Sequence, residues 1–289
     1  MKKLFHFLLL GFLLLGFVAC QEKVVPSDGD DTEEKKNPEP DPDPDPTPDP
    51  DPDPKDVTLL AAFTEEFSDA SSAYFDFVPE AGRDDFRYYP AFPSMTESGK
   101  TILMLRLDTA DAAEEGAELV SRGYTWFGRY SVRLKIPDIS AVQARTGACA
   151  SLVLWDDDKV YGKDEIALEA RIADREKLYL RFCHEDADGT NAREDEGSQK
   201  PEITGFNAAS KFYIYGIDWE ADKLVWWCQE RPGSAMKILA EETENVPSQP
   251  LQLGFRFFHS KARRADSGAS QAPLYPYELE VDWIKYEPF

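Results

Sequence analysis

The chain has 289 residues, of which 42% are hydrophobic and 30% charged, and its 55 acidic and 32 basic side chains give a net charge of −23. This composition is typical of a globular protein with acidic extensions, and it excludes a membrane bundle and a wholly disordered chain. An acidic surface repels phosphate backbones, so nucleic-acid binding is excluded as well.

The first 20 residues predict an export signal. Two lysines precede an apolar run at residues 4–18. At 1.5 Å per residue the run is about 22 Å long, which is too short for a stable membrane span. It ends in Ala19 and Cys20, which resembles a bacterial lipobox. We predict that Cys20 is lipidated and anchors the protein in the outer membrane, at its surface or its periplasmic face. The alternative is an ordinary signal peptide with an incidental cysteine.

Residues 21–56 predict an acidic, disordered linker. They hold 14 acidic and 4 basic side chains, and Asp and Pro alternate through most of residues 38–54. Proline at every second position fixes φ and removes backbone donors, so residues 38–54 are expected to be extended over about 50 Å. The linker is either a stalk that holds a domain away from a membrane or a tolerated acidic spacer. Both alternatives assign the function to residues 57–289.

Residues 57–289 predict an all-β fold. In residues 130–136, Tyr130, Val132, Leu134 and Ile136 alternate with polar side chains, which is typical of a half-buried strand. Similar runs occur at 57–63, 101–107, 150–155, 177–183, 211–219, 223–228, 251–258 and 278–286. An Ala/Glu-rich stretch at 108–120 is predicted to be a loop or one short turn. Many strands and turns in one hydrophobic unit indicate a single β-sandwich of two antiparallel sheets.

Three cysteines follow Cys20, namely Cys149, Cys183 and Cys228. At most one disulfide can form among them, and the sequence does not indicate whether one does. None has metal-binding spacing, so we expect small hydrophobic side chains in the core.

Two glutamates in residues 163–172 share one strand face. Ile166, Leu168 and Ala170 alternate with Glu165 and Glu169, whose Cα atoms are about 13 Å apart at 3.3 Å per residue. Long glutamate side chains can lean together to the roughly 5–5.5 Å carboxyl separation that retaining glycoside hydrolysis requires. An ordinary half-exposed strand gives the same alternation.

Four segments together resemble glycoside hydrolase family 16, the laminarinase and lichenase group. Residues 124–137 resemble its Tyr-Gly-Arg strand, and residues 165–169 stand where the family has Glu-Ile-Asp-x-Glu. Residues 212–227 and 277–286 resemble its Trp-rich and closing strands. The resemblance implies a concanavalin A-like β-jelly roll over residues 57–289.

The resemblance also implies catalytic roles. Glu165 corresponds to the nucleophile and Glu169 to the general acid/base, while Ala167 replaces the family's intervening Asp. Loss of that Asp is expected to slow hydrolysis by about 10²–10⁴-fold, unless a carboxylate from a neighbouring strand substitutes. Two further departures are Leu152, where the family has a sugar-stacking Trp, and Tyr213, where it has His.

Four residues are predicted to bind substrate: Trp126, Trp155, Arg171 and Tyr213. The two tryptophans are surrounded by polar or turn residues and offer flat faces to sugar rings. Any single aromatic in a strand is more often part of the core. Arg171 has two alternatives, since it either pairs with Glu169 and opposes its use as a general acid, or contacts substrate.

We predict no cofactor. Residues 186–191 resemble part of a calcium loop without its distal Glu, so a structural Ca²⁺ and a plain turn are the alternatives there. The leading hypothesis is a retaining endo-acting hydrolase of a β-linked polysaccharide, of the β-glucan or galactan class. The second is a non-catalytic surface glycan-binding lipoprotein with the same fold, and the third is a structural envelope protein. We predict a monomer that contacts the membrane only through its lipid anchor. The glycan and its linkage are left open.

Overall fold

The structure is a computed structural model that describes residues 57–68, 71–79, 84–89, 101–107, 115–138, 146–156, 164–184, 193–259 and 276–289. All of them belong to the compact unit Asp49–Phe289. The predicted signal at 1–20 with Cys20, the linker at 21–56 and the calcium loop at 186–191 lie outside the described residues.

The described residues form fifteen strands. They are β1 Phe63–Glu65, β2 Phe75–Pro79, β3 Asp84–Tyr89, β4 Ile102–Leu107, β5 Glu115–Thr125, β6 Gly128–Lys135, β7 Ala148–Trp155, β8 Glu165–Arg171, β9 Leu178–His184, β10 Arg193–Gln199, β11 Tyr213–Glu220, β12 Lys223–Gln229, β13 Met236–Glu242, β14 Leu251–His259 and β15 Tyr277–Pro288. Within these ranges no helix has the length and apolar character needed to cross a membrane.

The strands form two antiparallel sheets. The eight-stranded sheet has the order β13-β12-β11-β6-β15-β4-β3, with β1 also paired to β15. The seven-stranded sheet has the order β10-β9-β8-β7-β14-β5-β2. The prediction of an all-β sandwich of two antiparallel sheets is therefore confirmed.

One hydrophobic core lies between the sheets. Tyr130, Val132 and Leu134 of β6 face it from the eight-stranded sheet, and Ile166 and Leu168 of β8 face it from the other. Burying each such side chain contributes about 1.5–3 kcal/mol. Successive side chains of a strand point to opposite faces. The residues that alternate with these core residues therefore have their side chains on the outer face of each sheet.

Two predicted elements differ from the structure. The stretch at 108–120 was expected to be a loop or a short turn, but β5 begins at Glu115 and pairs with both β14 and β2. The alternation of β5 is weak in sequence because few of its side chains pack in the core, and one of these, Ala117, is small. The strand expected at 57–63 is short, since only Phe63–Glu65 joins a sheet and Leu59 makes an isolated bridge to Tyr124.

Candidate active site

Strand β8 divides the predicted catalytic segment between two environments. Ile166, Leu168 and Ala170 pack in the core. By the strand's alternation, Glu165, Ala167, Glu169 and Arg171 lie on the opposite side of the seven-stranded sheet, which we call the glutamate face. The two glutamates therefore share one face with Ala167 between them, as the sequence predicts.

The register of the sheet identifies the neighbours of this segment. On the β7 side, Glu165, Ala167 and Glu169 lie opposite Trp155, Val153 and Ser151. On the β9 side, they lie opposite Cys183, Arg181 and Tyr179. The centre of β8 is also tied to the other sheet, because Trp226 donates from Nε1 to the carbonyl oxygen of Ala167 at 3.0 Å. This bond crosses the sandwich and fixes the backbone between the two glutamates.

Glu165 is paired with an arginine from the neighbouring strand. Nη1 of Arg181 lies 3.4 Å from Oε1 of Glu165, and the two side chains are 16% and 23% exposed. Glu165 is thus the more accessible of the two glutamates, and Arg181 holds its carboxylate from the β9 side.

Glu169 belongs to a separate, buried charge cluster. Nη2 of Arg171 lies 3.4 Å from Oε2 of Glu169 and also pairs with Glu196 of β10. The guanidinium of Arg171 lies 3.5 Å from the ring centroid of Tyr179, a cation–π contact. Of the two alternatives for Arg171, the described contacts match the pairing with Glu169. The Glu169 side chain is only 3% exposed.

Tyr179 is itself held in a fixed orientation. Its hydroxyl donates to Oδ2 of Asp174 at 2.9 Å. Burial, together with this hydrogen bond, raises the pKa of Tyr179 to about 12. The ring is therefore a neutral platform under Arg171 at physiological pH.

The middle of the glutamate face is apolar. Ala167 packs with Val120, Val153 and Trp155 in a small cluster apart from the main core. The indole of Trp155 packs directly against Gly254 of β14. The contact is so close that a Cβ added at Gly254 would lie 2.0 Å from Cζ3 of the indole. The guanidinium of Arg256 lies 4.3 Å from the Trp155 ring centroid. The structure thus brings Trp155 to the same face as the glutamates, with its indole almost fully buried.

Two predicted substrate-binding residues do not join this cluster. The prediction for Tyr213 is wrong, because its side chain is fully buried in the core and its ring packs against Phe206 and Tyr215. Trp126 lies in the connection between β5 and β6, where its Nε1 donates to the carbonyl oxygen of Ser248 at 2.8 Å and its ring stacks on Phe127. Its described contacts lie at the end of the sandwich rather than at either glutamate.

The alternation also places Leu152 and the three cysteines. Leu152, the position of the family's sugar-stacking Trp, packs in the core, and so does Cys228. Cys149 and Cys183 are buried thiols opposite Arg171 and Glu165, on the glutamate face. Burial raises the pKa of the Cys228 thiol to about 12. The expectation of core cysteines therefore holds for Cys228, whereas the other two are buried on the other side of the sheet.

The sequence argument missed three arginine and serine side chains of the glutamate face, namely Arg181, Arg256 and Ser151. A signal for Arg181 was present, since Leu178, Leu180 and Phe182 alternate around it and exclude it from the core. Its contact with Glu165 depends on the β8–β9 register, which one strand's sequence does not contain. Among the described residues no group of three or more His, Cys, Asp or Glu is arranged to hold a metal ion.

The arrangement supplies two carboxylates on one face of one strand, each held by its own arginine. Retaining glycoside hydrolysis requires two such carboxyl groups, one that attacks the anomeric carbon and one that transfers a proton. The bridging carboxylate of the resembled motif is replaced by the methyl group of Ala167.

Comparison with known proteins gives consistent matches. The family profile of glycosyl hydrolases family 16 matches residues 89–285. Congo red hypersensitive protein 1 of Saccharomyces cerevisiae is 28% identical over 200 residues, which are 68% of this chain. The match spans only 32% of that longer protein.

Solved structures match over most of the chain. The β-glucanase of Bacillus licheniformis has a TM-score of 0.55 with 16% identity, covering 80% of this chain and 99% of that one. A glycoside hydrolase family 16 endo-glucanase from Bacteroides ovatus has a TM-score of 0.57 with 10% identity, covering 78% and 99%. At such low identity these likenesses show a shared jelly-roll fold. Together with the profile match, they lead to one conclusion: the chain belongs to glycosyl hydrolase family 16.

Proposed function

We propose that the protein is a retaining, endo-acting hydrolase of a β-linked polysaccharide, of the β-glucan or galactan class. The observation that carries this proposal is the common face of Glu165 and Glu169 on β8, with only Ala167 between them. Family membership supports the reaction class.

The proposed reaction has two displacements at one carbon. The Glu165 carboxylate attacks the anomeric carbon and forms an ester, while the glycosidic bond breaks and Glu169 donates its proton to the leaving oxygen. In the second step, Glu169 takes a proton from water, the water oxygen attacks the same carbon, and Glu165 leaves as a carboxylate. Two inversions retain the configuration of the sugar.

The neighbouring arginines have positioning roles in this proposal. Arg181 holds the Glu165 carboxylate, and Arg171 holds Glu169 together with Glu196. A proton donor must be released from such a pair when substrate enters. Slow turnover is therefore expected for two reasons: Glu169 is paired with Arg171, and Ala167 has only a methyl group where the resembled motif has a carboxylate.

A second function is favoured by a specific observation. The Glu169 side chain is only 3% exposed, so the proposed proton donor is poorly accessible to a substrate. A protein that binds β-linked glycan without cleaving it needs the sandwich and the sugar-contacting side chains but no mobile acid. In experiments, the glycan-binding alternative is distinguished from the hydrolase because it binds the polymer without releasing reducing ends.

The location of the protein is part of the same proposal. Lipidation at Cys20 and the acidic spacer at 21–56 would hold the jelly roll as a monomer away from the outer membrane, where polysaccharide is accessible. Palmitate labelling of the expressed protein tests this point, and Cys20→Ala is expected to abolish the label and to release the protein from membranes.

Activity is tested with laminarin, lichenan, agarose, carrageenan and xyloglucan. We expect slow release of reducing ends from one polymer, with its loss in Glu165→Gln and Glu169→Gln and no change in Glu202→Gln, an exposed glutamate. Affinity electrophoresis in the same gels separates the alternatives. Retardation without release supports the glycan-binding protein, and release that persists in Glu165→Gln contradicts the assigned nucleophile.

A further inference from the structure

The eight-stranded sheet carries a groove on its own outward face. The groove has a volume of about 620 Å³ and is lined by residues of β1, β6, β11, β12, β13 and β15. We call it the tryptophan groove after its two largest side chains, Trp227 and Trp283. Its volume is within the range of about 300–1,000 Å³ that small-molecule sites occupy. It lies on the other sheet from Glu165 and Glu169, so it is separate from the glutamate face.

Trp227 forms a fixed, flat part of this groove. A Cβ at Gly216 would lie 2.1 Å from Cζ2 of the indole, so the ring lies directly on the backbone of β11. Its Nε1 donates to Oδ1 of Asp218 at 2.8 Å. Asp218 also accepts two hydrogen bonds from Arg129, at 2.8 and 2.6 Å. The indole orientation is therefore set before any ligand arrives.

A β-bulge brings a second indole to the same groove. The register between β15 and β6 shifts between Val281 and Trp283, so Asp282 and Trp283 both line the groove although they are adjacent in sequence. Asp282 forms an ion pair with Arg133. The Trp283 side chain is partly exposed, and within the described part of the chain it has neither a hydrogen bond nor a ring contact. Its flat face is therefore open to a ligand.

Each cation that lines the groove has a carboxylate partner, and Glu66 adds one further carboxylate to the lining. The cations that line it lie within 4 Å of carboxylates in three pairs: Arg129 with Asp218, Arg133 with Asp282, and Lys285 with Glu287. No uncompensated positive field remains to attract a sulfated or phosphorylated ligand. Nε of Arg133 is buried and has no hydrogen-bond partner among the described residues, and both Arg133 and Ser131 line the groove beside the indoles. The accessible indole of Trp283 next to paired polar side chains suits a sugar ring, which has an apolar face and hydroxyl groups at its edge.

We propose that the tryptophan groove is a second carbohydrate-binding site, which holds a neutral β-linked polysaccharide chain on the sheet opposite the glutamate face. Trp283 stacks on a sugar ring, Trp227 forms the floor, and Arg133 and Ser131 bind hydroxyl groups. The identity of the polymer rests on the proposed function, whereas the existence of the site does not. Its role is to keep a long chain on the protein after the other sheet releases it.

The test measures retardation of the full chain in gels that contain laminarin, lichenan, agarose, xyloglucan or sulfated carrageenan. We expect Trp283→Ala to raise the dissociation constant for the polymer that retards the wild-type protein about tenfold. A loss of this size is typical when a central aromatic side chain of a binding site is truncated. Trp283→Phe keeps an aromatic face and is expected to retain most of the affinity. Phe289→Ala removes an aromatic side chain that is 67% exposed and is expected to change nothing. Equal thermal midpoints of these variants exclude unfolding as the cause.

Four outcomes decide the proposal. It is overturned if no neutral polymer retards the wild-type protein, if Trp283→Ala is retarded as strongly as Phe289→Ala, or if only sulfated carrageenan is bound. If wild-type protein releases no reducing ends but Trp283→Ala still weakens retardation, the hydrolase function fails and the second site stands. In an active enzyme, Trp283→Ala is expected to lower the rate on polymer and to leave the rate on short oligosaccharides unchanged.

Discussion

Arg181 lies directly opposite Ala167 in the register of β9 and β8, and its Nη1 is 3.4 Å from Oε1 of Glu165. The position between the two candidate catalytic glutamates is therefore flanked by a cation that already contacts one of them. Cross-strand neighbours on one face have Cβ atoms about 4.5–5.5 Å apart, so a longer side chain at 167 would meet this arginine.

Ala167→Asp is expected to raise kcat/KM for the cleaved polymer at least tenfold, because it returns a carboxylate between Glu165 and Glu169 next to Arg181. The new group enters the apolar cluster of Val120, Val153 and Trp155, so the free energy of unfolding is expected to fall by about 1–3 kcal/mol. Initial rates and urea unfolding measure both effects. Ala167→Asn is the matched control, since it has the same shape without the charge. A rate for Ala167→Asp no higher than that for Ala167→Asn would mean that the missing Asp does not limit hydrolysis.

Arg171→Ala is expected to lower the free energy of unfolding by about 3–5 kcal/mol, because it leaves the buried carboxylate of Glu169 without its cation. Arg175→Ala is the control. It breaks an exposed ion pair with Asp138 and is expected to cost about 0–1 kcal/mol. Urea denaturation of the two variants measures the difference. Similar losses in both would show that the Arg171 cluster is not buried as described.

Gly254→Ala is expected to displace Trp155 from the glutamate face. The added Cβ would lie 2.0 Å from the indole and 2.8 Å from the carbonyl oxygen of Leu119, so the ring must move and stability is expected to fall by about 1–3 kcal/mol. Near-ultraviolet circular dichroism and urea unfolding report the ring and the stability. Gly197→Ala in β10 is the control, because its Cβ would meet no atom within 4 Å and should cost nothing. An unchanged Trp155 environment in Gly254→Ala would contradict the described packing.

Stability is expected to fall at alkaline pH. Burial raises the pKa of Tyr130 and Tyr215 well above their usual value and that of Cys228 to about 12. The unfolded chain loses these protons first as the pH rises above about 9–10, so the folded state then binds more protons and unfolding becomes easier. The contribution of each group is complete below its ordinary pKa and declines by up to about 1.4 kcal/mol per pH unit above it.

Tyr215→Phe tests this pH dependence. Its hydroxyl is buried without a hydrogen-bond partner in the described residues, so at pH 7 the variant is expected to be as stable as the wild type or more stable. Between about pH 10 and pH 12 its stability is expected to decline less steeply, because one titrating group is gone. Tyr130→Phe is the comparison, since it also loses a hydrogen bond of 2.6 Å to the carbonyl oxygen of Trp126. Parallel urea-midpoint curves for wild type and Tyr215→Phe would contradict the role of this tyrosine.

The strands with strong alternation were predictable and the weakly patterned ones were not. Residues 130–136 and 163–172 have large apolar side chains at every second position, and both became strands whose core-facing sides were identified correctly. Strand β13 was missed because it lies at a sheet edge, where its half-exposed residues need no alternation. Tyr213 was misplaced because the resemblance gave its position in a motif, while the alternation of β11 turns its ring into the core.

The sequence by itself determined the all-β class, the family resemblance and the common face of Glu165 and Glu169, because each follows from the order of side chains within individual segments. Only the tertiary structure decided which arginine contacts which glutamate, and it alone brought Trp227 and Trp283 together in one groove. The contact of Arg181 with Glu165 depends on the register of β8 and β9, and the groove joins β12 to β15, where a bulge shifts the register. A shift of one residue in register would move every such side chain to the other face, so no pattern within a single segment could specify them.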